Sequence, residues 1–137
     1  MNIEIEISNG ELLDKVTILE IKLKNIKDFE KQKNIKKEHD LLTAKMATLT
    51  NSLFENSTTI NKEKYLNLFN KLLSTNEKLW LLEDRIREKE SKNRFDQDFI
   101  EIARAIYHTN DIRFKLKQDI NKLTMSNIIE VKEHPGY

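Results

Sequence analysis

The sequence predicts an all-α fold, a bundle of about four long antiparallel helices. Glycine and proline, the strongest breakers of regular structure, are absent from residues 11 to 134, because the two glycines are Gly10 and Gly136 and the one proline is Pro135. Strands packed into a sheet would need several tight turns, which favour glycine. Apolar residues also recur at helical spacing along most of the chain. We therefore expect long helices joined by short polar turns.

The first predicted helix starts near Asn9. Ser8 stands three residues before Glu11, which is the spacing of a capping box. Ile18 and Ile21 form a small apolar face of this helix on a wheel of about 100° per residue. A larger apolar face comprises Leu12, Leu13, Val16, Leu19, Leu23 and Ile26. A helix with two apolar faces is expected at the centre of the bundle or at a subunit interface.

The second helix is predicted to follow Asp28, which ends the first, and to cover residues 34 to 54. Its apolar residues form a narrow seam like that of a coiled coil, namely Ile35, Leu42, Met46, Leu49 and Leu53. Residues 55 to 61 are rich in Ser, Thr and Asn. This composition predicts a loop.

The third and fourth helices are predicted to run from near Asn61 to about Glu90 and from near Asp96 to about Met125. Residues 91 to 95 turn the chain between them. Asp96 is the predicted N-cap, because apolar residues before and after it have the spacing of a hydrophobic staple. Together the four helices would place far more than the average third of residues in helix.

The terminal segments show a different pattern. Residues 3 to 7 alternate apolar and polar, as in a half-buried strand, and residues 127 to 133 contain the only other β-branched run. We predict a short β-ribbon that pairs the two segments within the chain, or an exchange of these strands between subunits.

Composition bounds the function. Lys and Arg total 24 and Asp and Glu total 23, so no global charge favours nucleic acid or an acidic membrane. The chain has no cysteine, which excludes disulfides and thiolate chemistry. It shows no signal peptide and no apolar run of membrane-spanning length. We expect a single cytoplasmic domain over residues 1–137 that binds neither nucleic acid nor membrane.

The charged stretch after residue 82 divides into two sides. With Leu79 at the buried centre of helix three, Asn76, Glu83 and Arg87 fall between apolar residues on the wheel. Glu83 and Arg87 are at positions i and i+4, and we predict that they point inward as a pair. Four other charged residues are predicted to point outward, namely Asp84, Arg85, Glu88 and Lys89.

Arginine is confined to one region. All five arginines lie between residues 85 and 113, and the chain uses only lysine elsewhere. A planar multi-donor side chain there favours either recognition of a carboxylate or phosphate or an internal network with acids. On helix four, Arg104 and Asp111 share a polar stripe and are predicted to join such a network, while Asn110 lies on an apolar stripe.

These patterns define one set of candidate ligand-binding residues. Trp80 belongs to it, although its position is typical of a core residue. His108 and Asp111 are spaced as helical metal ligands but lack a second histidine, and no glycine-rich phosphate loop or nucleophile motif occurs, so neither metal nor cofactor is predicted. The candidates are Lys15, Lys22, Asn76, Trp80, Glu83, Arg87, Arg104, Asn110, Asp111 and Arg113.

Three long segments resemble a bacterial domain-of-unknown-function family of small helical proteins. They are ISNGELLDKVTILEIKL, NEKLWLLEDRIREKE and FDQDFIEIARAIYHTNDIRFKLKQDIN. The resemblance implies no activity, and only a loose link to surface-polysaccharide genes. The positions that carry the family pattern are Glu11, Asp14, Lys15, Glu20, Lys22, Trp80, Glu83, Asp84, Arg87, Asn110, Asp111 and Arg113.

Two functions follow from the sequence. The first is an interaction or assembly module, a homodimer whose semi-buried charged network sets helix register and which binds a partner protein. The second is an enzyme or binder for a small anionic ligand, such as a carboxylate, a phosphate or a sugar derivative, held between helices three and four.

Overall fold

The computed structural model describes residues 1–134 and contains four helices joined by short turns. They are α1 (Asn9–Asn25), α2 (Phe29–Asn56), α3 (Thr59–Ser91) and α4 (Gln97–Leu123). The predicted all-α bundle is therefore confirmed. The last three residues of the predicted domain lie outside the described range.

Each helix begins at a side chain that accepts a hydrogen bond from a backbone N–H of the first turn. Ser8 and Asp96 are the caps of α1 and α4, as predicted. Asp28 does not end α1 but caps α2. Its carboxylate accepts from the backbone of Lys31 at 2.9 Å, so α2 starts earlier than predicted. Thr58 caps α3 in the same way.

The short helix α1 lies at the centre of the fold and contacts all three other helices. On one side it packs against α2, where the Gln32 amide donates to the carbonyl of Leu23 at 2.8 Å. On the other side it packs against the antiparallel pair α3 and α4. The molecule therefore has three layers, with α2 outside, α1 in the middle and α3–α4 opposite, and α2 also contacts α3 directly through Thr50 and Tyr65. The two apolar faces predicted for α1 are explained by this position, because α1 packs against helices on both sides.

The core lies where α1 crosses α3 and α4. Its buried members are Leu12, Leu13, Val16, Tyr65, Leu72, Leu116 and Ile120. The predicted seam of α2 packs against this cluster with Leu42, Met46, Leu49 and Leu53. Tyr65 is fully buried, and its hydroxyl lies 2.8 Å from that of Thr50. Burial raises the pKa of Tyr65, although the bond to Thr50 opposes that shift.

The chain termini meet, but not as a β-ribbon. The described residues contain no strand, so the ribbon predicted within the chain is wrong. The Asn9 backbone N–H donates to the Ser126 hydroxyl at 3.1 Å, which joins the two ends at one point. Beyond it, residues 127–134, here called the tail, run along α4. Lys117 and Asp111 of that helix bind tail residues of opposite charge and draw the tail away from residues 3–7.

Candidate functional site

A buried ion pair holds α1 to α4. The carboxylate of Asp14 on α1 has a side-chain exposure of 1%. Arg113 on α4 donates two hydrogen bonds to this carboxylate, from Nε to Oδ1 at 2.8 Å and from Nη2 to Oδ2 at 2.5 Å. This two-pronged geometry is the strongest arrangement that an arginine and a carboxylate can form.

An amide from α3 completes the cluster. The Asn76 amide nitrogen donates to Asp14 Oδ1 and to the Thr17 hydroxyl, both at 2.9 Å. The remaining guanidinium nitrogen of Arg113, Nη1, donates to Asn110 Oδ1 at 3.3 Å. All three packed helices therefore contribute, and both oxygens of Asp14 have partners. We call Asp14, Thr17, Asn76, Asn110 and Arg113 the polar cluster.

The polar cluster keeps its charges at neutral pH. Burial by itself raises the pKa of Asp14, but hydrogen bonds from Arg113 and Asn76 outweigh burial and hold the pKa below its ordinary value. The bond to Asp14 raises the pKa of Arg113, against the effect of burial. A buried carboxylate is stable as an anion only when it is paired in this manner.

A second buried charge lies about one turn further along α4. The side chain of Lys117 is 7% exposed, and its ammonium lies 2.7 Å from Glu11 Oε2 and 2.7 Å from Glu130 Oε2. Burial lowers the pKa of Lys117, but the bonds to these two acids raise the pKa by more, so the net shift is upward. Lys117 thereby links α1, α4 and the tail.

The backbones of α1 and α4 come very close at Gly10. The Gly10 N–H donates to the side chain of Asn121 at 2.6 Å. A Cβ atom built on Gly10 would lie 2.4 Å from the carbonyl oxygen of Lys117. Only glycine fits this position, and the close approach brings Asp14 within reach of Arg113.

A cleft of about 450 Å³ opens beside the polar cluster, between α1, α3 and α4. Six of the ten candidate residues line it, namely Asn76, Trp80, Glu83, Arg87, Asn110 and Arg113. Trp80 is half-buried in its wall rather than in the core. Ile18, Leu79 and Asp84 complete the lining.

The other four candidates lie elsewhere. Lys15 is exposed and pairs with Glu11 at 3.6 Å, and half-buried Lys22 is not among the cleft-lining residues. Arg104 is exposed. Asp111 binds Lys132 of the tail, so the predicted network of Arg104 with Asp111 is wrong. Both residues are exposed on α4.

The inward placement of Glu83 and Arg87 is also wrong. The pair exists, with Nε and Oε2 3.4 Å apart, but the side chains are 45% and 79% exposed. Both side chains point towards the cleft, as the wheel indicates, but the cleft is open to solvent at this place. Lys89, predicted to point outward, has a side chain only 19% exposed and binds Asp96 and Asp98 at the α3–α4 turn.

The most buried charges do not stand out on a helical wheel. Asp14 is marked only by the family resemblance, and no sequence pattern given above marks Lys117. A usable signal was the face that Gly10, Asp14, Thr17 and Ile21 share on α1. Small and polar residues on a helix that is otherwise apolar there indicate a close helix contact with an internal polar partner.

The polar cluster is suited to holding helices rather than to chemistry. The carboxylate of Asp14 is buried, has a lowered pKa and accepts three hydrogen bonds. A general base needs a pKa near the working pH and access to a substrate, and Asp14 has neither. Accessible polar groups beside the cluster include Glu83, Asp84 and Arg87 at the cleft rim.

Fold and cluster together define a small layered helical protein with an internal ion-pair network. The model of a family described as a family of unknown function (DUF6165) matches residues 3–136, and the chain belongs to this family. This confirms the resemblance to a family of uncharacterised helical proteins. No curated protein matches the chain significantly, and neither does any solved structure. None of the described helices is long and apolar enough to cross a membrane.

Proposed function

We propose that this chain is a self-associating interaction module that works as a homodimer. The observation that carries the proposal is the large solvent-exposed surface area of the chain. The chain exposes 9758 Å², whereas a compact monomer of 16.3 kDa is expected to expose only about 7,500 Å². The excess of about 2,300 Å² is ample for a stable interface, which covers about 800 Å² per partner.

The distribution of charged groups supports the same proposal. The polar cluster and Lys117 are engaged within the chain, as expected of groups that set helix register rather than groups that await a substrate. Apolar side chains near the termini, in contrast, have large exposed fractions, with Ile3 82% and Val131 86% exposed. Apolar groups in water favour association.

Sedimentation equilibrium of the full chain over a range of concentrations tests the proposal. A species of twice 16.3 kDa is expected at the higher concentrations, dissociating on dilution. A mass equal to the monomer at every concentration would exclude a homodimer.

The cleft beside the polar cluster favours a second candidate, the binding of a small anion. Its volume of about 450 Å³ lies within the range of small-molecule sites, about 300–1,000 Å³. Arg87 is 79% exposed and 3.4 Å from Glu83, a loose pairing from which it is free to turn to a ligand. Arg113 Nη1 holds only Asn110, at 3.3 Å.

The single tryptophan, Trp80, reports on this cleft. Titration with phosphate and with citrate is expected to change its fluorescence in a saturable way. The change should be lost in Arg87→Ala and kept in Arg104→Ala, a matched arginine outside the cleft. Absence of a saturable change with both anions removes this candidate.

A further inference from the structure

The tail has the reverse of the usual surface pattern. Alternate residues Glu130 and Lys132 turn inward and bind Lys117 and Asp111 of α4. The residues next to them, Ile129 and Val131, turn outward and are 61% and 86% exposed. A strand-like segment on a protein surface normally places apolar residues inward and charges outward. The tail is therefore fixed in place by ion pairs with its apolar side uncovered.

The N-terminal segment has a matching uncovered side. Ile3 and Ile5 are 82% and 75% exposed and alternate with two glutamates. Both segments leave the bundle at one place, where Glu6 and Ile7 line a shallow pocket with Ser126 and Ile128. Yet no backbone hydrogen bond joins residues 1–7 to residues 127–134 in the described part of the chain, so neither segment covers the other.

We infer that residues 3–7 of one copy pair, as an antiparallel strand, with residues 128–132 of a second copy, so that two chains exchange their N-terminal segments. This inference rests on the proposed homodimer and assigns its interface. Both segments have the period of two that strand pairing requires, and both place apolar side chains on one side. A reciprocal exchange makes every contact twice, as in a two-fold dimer.

A second copy fits these segments better than another occupant does. The tail is already fixed by Glu130 and Lys132, so it offers a prepared strand edge, and free edges pair readily with other extended segments. Residues 3–7 are the only other β-patterned segment of the sequence. Four of the more exposed apolar side chains of the described residues, Ile3, Ile5, Ile129 and Val131, lie in these two segments.

Charge substitutions at the tail test the assigned surface. The double variant Ile129→Glu/Val131→Glu is expected to raise the dimer Kd about 100-fold or more with an unchanged helical circular dichroism spectrum. The matched control is Leu41→Glu/Ile60→Glu, on helix residues that are 57% and 63% exposed. It should keep the wild-type Kd. Equal Kd values for the two double variants and the wild type overturn the assignment.

The absence of cysteine allows a direct test of the exchange. Chains carrying only Ile5→Cys are mixed with chains carrying only Val131→Cys and treated with a short thiol-to-thiol cross-linker. A covalent dimer containing one chain of each kind is expected, and none with Ile60→Cys in place of Val131→Cys.

The outcomes separate the interface from the association itself. A wild-type dimer without the mixed cross-link places the interface elsewhere and leaves self-association standing. Cross-links only between Ile5→Cys chains indicate pairing of two N-terminal segments and overturn the exchange. A wild-type monomer at all concentrations overturns the dimer and the exchange together.

Discussion

At the residue scale the pairing of Asp14 with Arg113 dominates the interior. The pair is bidentate and receives a further bond from Asn76. Taking two charges out of water costs several kcal/mol per ion, and the pair offsets this only while both partners are present. Removing one partner therefore costs far more than removing a surface pair of the same chemistry.

Asp14→Asn is expected to lower the free energy of unfolding by about 2–4 kcal/mol. The neutral amide leaves the Arg113 charge without its counterion, and the 29% exposure of that side chain moderates the loss. Urea unfolding followed by circular dichroism measures it. The control is Glu83→Gln in the exposed pair, which should change the free energy by no more than about 0.5 kcal/mol. Similar losses in both variants would contradict the buried role of Asp14.

Acid should weaken the fold through the same carboxylate. The pKa of Asp14 is lower in the folded state than in the unfolded chain, so the unfolded state binds the proton more readily. The stabilisation that ionised Asp14 gives to the folded state is present above about pH 4 and is lost as the pH falls through the folded-state pKa. The free energy of unfolding measured at several acidic pH values should fall more steeply in the wild type than in Asp14→Asn. Parallel curves would assign acid sensitivity to other carboxylates.

At the element scale the position of α1 depends on one close backbone approach and one lysine. Gly10 lets α1 come against α4, and Lys117 then joins Glu11 of α1 to Glu130 of the tail. The small residue and the buried ammonium act at neighbouring turns. Both contacts join α1 to α4 near the start of α1.

Gly10→Ala tests the close approach. In an unconstrained helix the change would stabilise by up to about 1 kcal/mol, but here the new Cβ meets the Lys117 backbone at 2.4 Å. We expect a net loss of about 1–3 kcal/mol, measured by urea unfolding. Lys24→Ala, at an exposed position of the same helix, is the control and should be nearly neutral. A stabilised Gly10→Ala would show that the helices can separate at little cost.

Glu130→Gln tests how the tail is held. Loss of the carboxylate weakens the bond to Lys117, so amide hydrogen exchange in residues 128–133 is expected to become several-fold faster. Glu133→Gln serves as control, because no ion pair of Glu133 occurs among residues 1–134. Unchanged exchange in Glu130→Gln would mean that Lys132 alone retains the tail.

At the scale of the whole molecule the four helices form layers and do not occupy the corners of a square as in a simple four-helix bundle. The 17-residue α1 lies between the 28-residue α2 and the pair α3–α4, and most contacts between layers pass through it. This arrangement buries both faces of α1 but leaves the termini uncovered. The proposed dimer covers the surface that the layering leaves exposed.

Dimerisation should link stability to concentration. If the folded chains associate and the unfolded chains do not, mass action stabilises the folded state as concentration rises. Differential scanning calorimetry at a series of protein concentrations is expected to show Tm increasing with concentration. The increase should vanish in Ile129→Glu/Val131→Glu and persist in Leu41→Glu/Ile60→Glu. A Tm independent of concentration in the wild type would argue against a dimer.

The number of helices and most of their ends follow from the amino-acid sequence alone. These depend on local interactions, such as the caps at Ser8 and Asp96, and on the absence of glycine and proline from residues 11 to 134. The double-faced pattern of α1 predicts a place at the centre of the bundle or at a subunit interface, and α1 lies at the centre. The helix wheel also placed Asn76, Trp80, Glu83 and Arg87 on one side of α3, where the structure has the cleft.

Which charges are buried depends on how the helices pack against one another. The wheel gives the direction of a side chain but not what packs opposite it, so Glu83 and Arg87 were predicted inside and lie at an open cleft. Asp14 and Arg113 are 99 positions apart, and no local pattern pairs them. Burial depends on which helix crosses at that point, and near Asp14 the backbones of α1 and α4 come close together where Gly10 meets the backbone of Lys117. For the same reason the terminal segments, β-patterned by sequence, remain unpaired once Lys117 and Asp111 hold the tail against α4.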